Sequence, residues 1–343
     1  MQAIQFAPLG RTITAVDERE LVEGIEVPGS RLEFESQFGS EAACRTYLER
    51  VRWPNGFVCP DRACDGRQAW RTARGLHRCT ACGRQTSATA GTMFAATRKP
   101  LRAWFEVLWR IAGRDGVSAE ALQTALSLGS YQTAWVWLHK VRRAMALVAP
   151  ECLTGIVELD VFPLVCVEGS LRRTVTRQTF VAIALEVGGP KVGRVRLARP
   201  PNTRPAAVER FIGQVVAPGA TLRMTVKPRP GLVALGYRFD PAIARAGRDI
   251  GLPRLVELAR LLDDWIVGTH HGAVRRAHLD FYLAEFAFRF NERGSPRGLR
   301  FFHLLEAALK AEPRSGHSLV GGALVTAAGQ PRRRPQRQGR VAR

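Results

Sequence analysis

Four of the seven cysteines are grouped in two close pairs, and cysteine thiolates are strong zinc ligands. The first pair has four residues between its cysteines, the second has two, and fourteen residues separate the pairs. Two such pairs on two tight turns can surround a zinc ion tetrahedrally, so the spacing predicts a zinc ribbon with short strands around 68–71 and 76–78. The four predicted ligands are Cys59, Cys64, Cys79 and Cys82.

The remaining cysteines and two nearby glycines fit this interpretation. An odd cysteine count does not suit a disulfide framework, and the scattered Cys44, Cys152 and Cys166 are interpreted as buried free thiols. Gly66 and Gly83 follow the two pairs and permit the tight backbone that the turns require.

Asp160 is the second candidate for chemistry. The stretch from Gly155 to Val161 predicts a buried β-strand that carries this carboxylate. Such a group ligates a divalent metal ion when other acidic side chains are close, although an Asp at a strand end is also a common turn residue.

The distribution of charge indicates a polyanionic partner. The 343 residues carry a formal net charge of +21, and residues 66–149 hold thirteen Lys and Arg against three acids. Such a balance favours nucleic acid through phosphate neutralisation, with free use of Arg in a GC-rich genome as the alternative explanation. No secretory signal or run of about 18 uncharged apolar residues is present, so we expect a cytoplasmic, nucleoid-associated protein without a membrane partner.

Three predicted helices follow the ribbon, at 100–113, 118–126 and 131–145. A short helix, a turn at 128–130 and a basic helix form the pattern of a helix-turn-helix, which many small helical cores share. Early residues of the third helix would meet base edges, unless they are solvated polar positions. The predicted DNA-binding residues are Arg71, Arg78, Arg84, Gln132, Thr133, Lys140, Arg142 and Arg143.

Strand and helix patterns in the second half predict a mixed sheet. Strands are expected at 156–161, 178–187, 191–198 and 221–226, with helices at 205–216, 253–267 and 275–292. A ribonuclease-H-like fold begins with three strands joined by hairpins, followed by a helix and a further strand. The predicted class is α/β, divided into a lead-in (1–37), a zinc-ribbon region (38–90), a helix-turn-helix-like region (91–150), a ribonuclease-H-like domain (151–306) and a basic, disordered tail (307–343).

Over residues 38–306 the chain resembles transposases of the IS1595 family of insertion sequences, which have an ISXO2-like catalytic domain. Several distinctive stretches occur in the same order, and they lie at 59–87, 90–94, 116–118, 140–145, 157–160, 268–274 and 282–291. The resemblance implies a DDE-type transposase, in which acidic groups hold two Mg²⁺ or Mn²⁺ ions for attack on phosphodiesters. It also implies double-stranded DNA partners, namely transposon ends and target DNA, and a homo-oligomer on DNA.

The sequence departs from the family pattern at three positions. Val161 stands where a glutamate usually follows the first aspartate, and Val226 stands where the family has its second aspartate. Leu261 aligns with the acidic or amide residue that precedes the matching tryptophan, Trp265. We therefore hypothesise that catalysis is impaired in this chain.

Other polar residues could complete an active site. Asp240 and Asp249 lie in the wrong register for the match, whereas two helices carry further acids. Arg289 and Asn291, with Arg293, Arg297 and Arg300, predict a basic surface that could hold DNA. The candidate catalytic set is Asp160, Asp263, Asp264, Glu285, His270 and His271, of which all but Asp160 also suit helix-surface or loop-packing roles.

Two other functions remain open from the sequence. One is a non-catalytic, domesticated DNA-binding protein or repressor derived from a transposase. The other is a zinc-ribbon protein of the transcription or RNA machinery, which would leave the His270-His271 loop and the strand order unexplained.

Overall fold

Three hydrophobic clusters organise the described part of the chain. In the computed structural model this part comprises residues 21–22, 24–95, 97, 99–114, 116–148, 151–170, 173–188, 191–225, 230–240, 252–270 and 274–314. Within these ranges no helix is long and apolar enough to cross a membrane.

The first cluster is helical. One strand and six helices contribute to it: β2 (Ile25–Glu26), α1 (Arg31–Gln37), α2 (Glu41–Arg52), α3 (Leu101–Ile111), α4 (Ala119–Ala125), α5 (Tyr131–Met145) and α10 (Arg297–Lys310). Strand β1 (Leu21–Val22) pairs with β2 in an antiparallel ribbon. Serine side chains at 30, 40, 118 and 130 accept hydrogen bonds from the backbone N–H three residues later. These caps satisfy otherwise unpaired helix donors and fix where α1, α2, α4 and α5 begin.

A three-stranded antiparallel ribbon is attached to α2. Its strands are β3 (Ala69–Arg71), β4 (His77–Cys79) and β5 (Gln85–Thr86). The Glu49 carboxylate on α2 accepts from Arg71 at 2.6 Å and lies 3.2 Å from His77 Nε2. The ring of Trp53, at the end of α2, packs edge-on against His77. Polar and aromatic contacts therefore hold the ribbon against the helical cluster.

A five-stranded mixed sheet forms the second half. Its strands are β6 (Ile156–Ser170), β7 (Arg173–Gly188), β8 (Lys191–Ala198), β9 (Thr221–Met224) and β10 (Arg238–Phe239), in the order β10-β9-β6-β7-β8. The pairs β6–β7 and β7–β8 are antiparallel, whereas β9 runs parallel to both β6 and β10.

Helices cover both faces of this sheet. One face packs against α6 (Pro205–Val215) and α7 (Pro230–Ala234) through Leu159, Phe211 and Leu232. The other packs against α8 (Pro253–His270) and α9 (Leu279–Asn291), which a 3-10 turn at Arg276–His278 precedes. Side chains of β6 alternate between the two clusters, as the period of a strand requires.

Most predicted elements are confirmed, with three differences. The hairpin of β6 and β7 is longer than predicted, because pairing continues from Val157↔Glu186 to Ser170↔Arg173. Residues 25–37, predicted as lead-in, place Ile25 and Phe34 in the helical core. Helix α10 runs past the predicted tail boundary at 307, and its apolar face packs with the N-terminal helices instead of the mixed sheet.

Candidate functional site

The four predicted zinc ligands converge. Their sulfur atoms all lie within 4.8 Å of one another. Cys59 Sγ is 3.7 Å from Cys82 Sγ, and Cys64 Sγ is 3.8 Å from Cys79 Sγ. A tetrahedron with Zn–S bonds of about 2.3 Å has sulfur–sulfur edges of about 3.8 Å, so the thiols fit a zinc ion.

The backbone around the thiols is built for a metal centre. Gly66 O accepts from Cys59 N–H, and Cys79 O accepts from Gly83 N–H, where Gly83 has φ +73°. Backbone N–H groups of Cys82 and Ala81 donate to the Cys79 sulfur and lower the pKa of that thiol to about 7. Donors that favour the thiolate prepare Cys79 as a ligand.

Gly66 is the position where a side chain would disturb this centre most directly. A Cβ at residue 66 would lie 2.5 Å from Cys79 Sγ and 3.3 Å from Cys64 Sγ. We expect Gly66→Ala to weaken zinc binding about 10–100-fold, the usual effect of changing groups that support metal ligands. Competition with a chromogenic chelator measures this. Gly213→Ala is the control, because residue 213 lies in α6 with nothing within 4 Å of an added Cβ; equal zinc affinity of the two variants would contradict the prediction.

The ribbon exposes three of the predicted DNA-binding arginines. Arg71 pairs with Glu49, and Arg84 Nη1 donates to Asp61 at 2.9 Å. The Arg78 guanidinium lies 5.5 Å from the centre of the Trp70 ring, and Trp70 is 51% exposed. Trp70 and Arg78 are register partners on β3 and β4, so they lie on one face of the ribbon, whereas Arg71 lies on the opposite face, beside α2.

The α4–α5 unit presents fewer cations than the sequence predicted. Gln132 is exposed on the first turn of α5, whereas the Thr133 hydroxyl bonds to the capping Ser130 at 2.9 Å. Burial lowers the pKa of Lys140, whose ammonium lies over the Trp104 ring. Arg143 Nη1 donates to the carbonyl of Glu312 at 2.8 Å.

Arg142 and Glu285 have structural positions that correct two expectations. Arg142 Nε donates to Glu285 Oε2 at 2.6 Å, and Arg289 Nη2 donates to Glu285 Oε1 at 2.8 Å. All three residues are buried. Because Arg142 faces α9 inside the protein, it does not contribute to a DNA-binding surface, and Glu285 has both carboxylate oxygens engaged by guanidinium groups.

The expected basic surface around α9 is also mostly internal. Asn291 clamps β8, accepting from Val195 N–H and donating to Val195 O. Arg289 and Arg300 are 6% and 8% exposed. A run of arginines along a sequence does not show which of them face inward, because α9 and α10 are each covered on more than one side.

Asp160 lies on β6, at the end of the stretch that pairs with β9. The pairing of β6 with β9 ends at Leu159↔Met224, so Asp160 lies one residue beyond the end of the parallel ladder. Its Oδ2 accepts from the Thr225 hydroxyl at 2.5 Å, and its Oδ1 accepts from Val161 N–H at 2.7 Å. Both oxygens of this half-buried carboxylate therefore have hydrogen-bond donors from the protein.

The other candidate catalytic residues do not gather around Asp160 in the part of the chain that the structure describes. Asp263 and Asp264 are exposed on α8, and Asp240 accepts from Arg223 Nε at 2.9 Å. His270 ends α8. Val226, Asp249, His271 and the side chain of His270 lie outside the described residues. Apart from the four cysteines, no group of three or more potential ligands could hold a metal ion within the described ranges.

Glu158 is a carboxylate that the sequence analysis did not select. It lies two residues before Asp160, so strand alternation places both on the sheet face that packs against α8 and α9. Glu158 is 6% exposed, and its Oε2 has no hydrogen-bond partner within the described ranges. Burial raises the pKa of this carboxyl group, against the opposing effect of Arg223 and Arg254. The sequence contains a signal for this carboxylate: Glu158 and Asp160 are two residues apart in a predicted strand, so their side chains share a face of the sheet.

Comparisons with known proteins agree with the metal centre. Residues 39–85 match the transposase zinc-ribbon domain of IS1595 elements. The chain is also similar to an uncharacterized protein in transposable element ISH50 of Halobacterium salinarum, with 29% identity over 127 residues. That alignment covers 36% of this chain and 42% of the relative, so it spans less than half of either protein.

Proposed function

We propose that the chain is a transposase of the IS1595 family, because residues 39–85 match the zinc ribbon of such transposases, and that it binds double-stranded DNA at the ends of an insertion sequence. The zinc ribbon and the α4–α5 unit would contact the transposon ends. The mixed-sheet domain would face the scissile phosphodiesters, with its capacity for cleavage impaired. As in the family, the chain would act on DNA as a homo-oligomer.

The convergence of four thiols in a family-specific ribbon is the observation that carries this proposal. The ribbon has a cationic, aromatic outer face at Arg78 and Trp70. Arginine and tryptophan together suit the phosphates and base or sugar surfaces of nucleic acid. The chain's net charge of +21 acts in the same direction.

The topology of the sheet supports a ribonuclease-H-like catalytic domain. The order β10-β9-β6-β7-β8, with three antiparallel strands followed by two parallel ones, is what that fold requires. Asp160 lies on β6, the first strand of this sheet along the chain, and the resemblance puts the first acidic ligand on the first strand. The short α4, its turn and α5 support a helix-turn-helix in the same way.

The proposal of impaired cleavage rests on the surroundings of Asp160. A two-metal mechanism needs several carboxylates with free oxygens, and Mg²⁺ or Mn²⁺ would bind here only with such a set. Thr225 and the Val161 N–H donate to Asp160, and Val226 brings no carboxylate to the next position. If each metal role supplies several kcal/mol, its loss lowers the rate by orders of magnitude.

Cleavage of a matching DNA end tests this proposal. With Mg²⁺ or Mn²⁺ and a duplex carrying the terminal repeat, we expect the wild type to cleave no faster than Asp160→Ala, within about twofold. Glu257→Ala, at an exposed position on α8 outside the candidate catalytic set, is the matched control. If the wild type and Glu257→Ala cleave the duplex and Asp160→Ala does not, the active site works and the proposal of impaired cleavage is wrong.

The same comparison addresses the second candidate function. Both oxygens of Asp160 accept hydrogen bonds from within the protein. This observation also favours a non-catalytic DNA-binding protein that acts as a repressor or competes for the transposon ends. This function predicts tight, specific end binding without cleavage by any variant.

A further inference from the structure

A small cavity with an arginine-rich lining opens where the helical cluster meets the mixed-sheet domain. It lies between the end of α3, helix α9 and helix α10. Its empty volume, counted to the open mouth, is about 310 Å³. Among the residues that the structure describes, six line it and none of these is acidic: Gly113, Arg114, Phe288, Arg289, Arg293 and Arg300.

Two of the four arginines are held by backbone carbonyls. Arg289 Nη1 donates to Gly113 O at 3.0 Å, and its other nitrogens bond to Glu285. Arg293 donates to the carbonyls of Phe290 and Val192. These bonds fix the cavity walls, and no carboxylate of the described part of the chain forms an ion pair with Arg293.

Arg300 is the unusual member of the group. It is 8% exposed, and its Nε is buried with no hydrogen-bond partner within the described ranges. Burial, with the charges of Arg114 and other nearby arginines, lowers the pKa of Arg300 to about 10. The carboxylate that opposes this effect is Glu292, which also lies 3.1 Å from His303 Nδ1. A buried guanidinium with an unmet donor is costly unless a ligand satisfies it.

We propose that this cavity is an oxyanion site that receives a phosphate of the DNA backbone. The identity of the anion as DNA rests on the proposed function, whereas the site itself rests on the arginines. Guanidinium groups match phosphate oxygens in charge and in hydrogen-bond geometry. Arg300 donates from inside the cavity, and the exposed Arg114 donates from its mouth.

The size of the cavity favours a backbone phosphate over a larger organic anion. Its enclosed part has room for about one water-sized group. One non-bridging oxygen therefore enters towards Arg300, while the phosphorus and its ester oxygens remain at the mouth beside Arg114. Because α3, α9 and α10 all contribute, a bound phosphate also stabilises the joint between the helical cluster and the mixed sheet.

Thermal unfolding of the full chain tests the site without DNA. Inorganic phosphate at 10 mM, compared with chloride at equal ionic strength, is expected to raise the wild-type Tm by a few degrees. Arg300→Gln is expected to unfold in chloride at a Tm at least as high as the wild type and to lose the phosphate response. Arg114→Gln, at an exposed position, provides a second variant that does not alter the core.

Salt-dependent binding to duplex DNA tests the assignment to the backbone. Loss of one phosphate contact is expected to reduce the slope of log K against log salt by about 0.9 in both variants. Arg210→Gln, an exposed arginine on α6, is the control and is expected to keep the wild-type slope and phosphate response.

Each outcome decides the proposal. Loss of the phosphate response and the reduced slope in both variants, with Arg210→Gln unchanged, supports it. A phosphate response that persists in both variants overturns the site. Loss of that response with an unchanged DNA slope overturns the assignment to DNA and leaves the proposed function standing. If the wild type binds no DNA, the proposed function and the DNA assignment both fail, while the phosphate response still reports on the site.

Discussion

Removal of zinc is expected to unfold the ribbon from Cys59 to Thr86 and to weaken DNA binding at least tenfold. Between Asp61 and Arg84 the only buried residue is Cys79, so this segment has almost no apolar core of its own. Its three strands are two or three residues long. Such short elements do not fold without a further constraint, and structural zinc supplies about 10–16 kcal/mol in zinc-finger peptides.

Zinc content, limited proteolysis and DNA affinity measure this effect before and after chelation. Cys79→Ser is expected to lose zinc and to become cleavable between residues 59 and 86. Cys152→Ser is the matched control, because that half-buried thiol lies outside the cysteine cluster. If the chelated protein binds DNA as tightly as the zinc-loaded protein, the ribbon does not contact DNA.

Glu285→Ala is expected to destabilise the chain by about 3–5 kcal/mol, because it leaves the buried cations of Arg142 and Arg289 without their carboxylate. Arg289 also donates to carbonyls at the end of α3, and the Arg142 guanidinium lies 4.3 Å from the centre of the Tyr282 ring. The carboxylate therefore connects α3, α5 and α9 at the joint between the two halves of the chain.

Urea unfolding at constant zinc measures the free-energy change. The control is Glu306→Ala, whose pair with Lys310 at 3.8 Å is largely exposed and worth at most about 1 kcal/mol. A loss below 1 kcal/mol for Glu285→Ala would show that the ion pairs do not hold this joint.

Local patterns were sufficient for the metal centre and for most elements. Ligand spacing identified Cys59, Cys64, Cys79 and Cys82, because a ribbon brings together residues that are close along the chain. Hydrophobic periodicity predicted α3, α4 and α5 for the same reason. The order of strands and helices after Ile156 similarly indicated the mixed sheet.

Tertiary structure decided which charged residues face solvent. The sequence shows that Arg142, Arg289 and Arg300 are basic, and from this alone they were predicted to lie on a DNA-binding surface. Their burial depends on contacts with partners 143 residues or more away, as for Arg142 with Glu285 and for Arg289 with the end of α3. No local pattern predicts the pairing of Arg142 with Glu285, because it depends on which side of α5 packs against α9.

The chain's own sequence therefore determined that it carries a zinc ribbon, a basic helical region and a mixed sheet with Asp160 on its first long strand. Only the folded structure showed that Asp160 already has two protein donors, that Glu285 joins helices, and that Arg300 is buried in a cavity lined by three further arginines. The physical reason is the distance along the chain over which each effect acts. Ligand spacing and periodicity act within a few residues, whereas burial and ion pairing are set by whichever distant segment packs against each side chain.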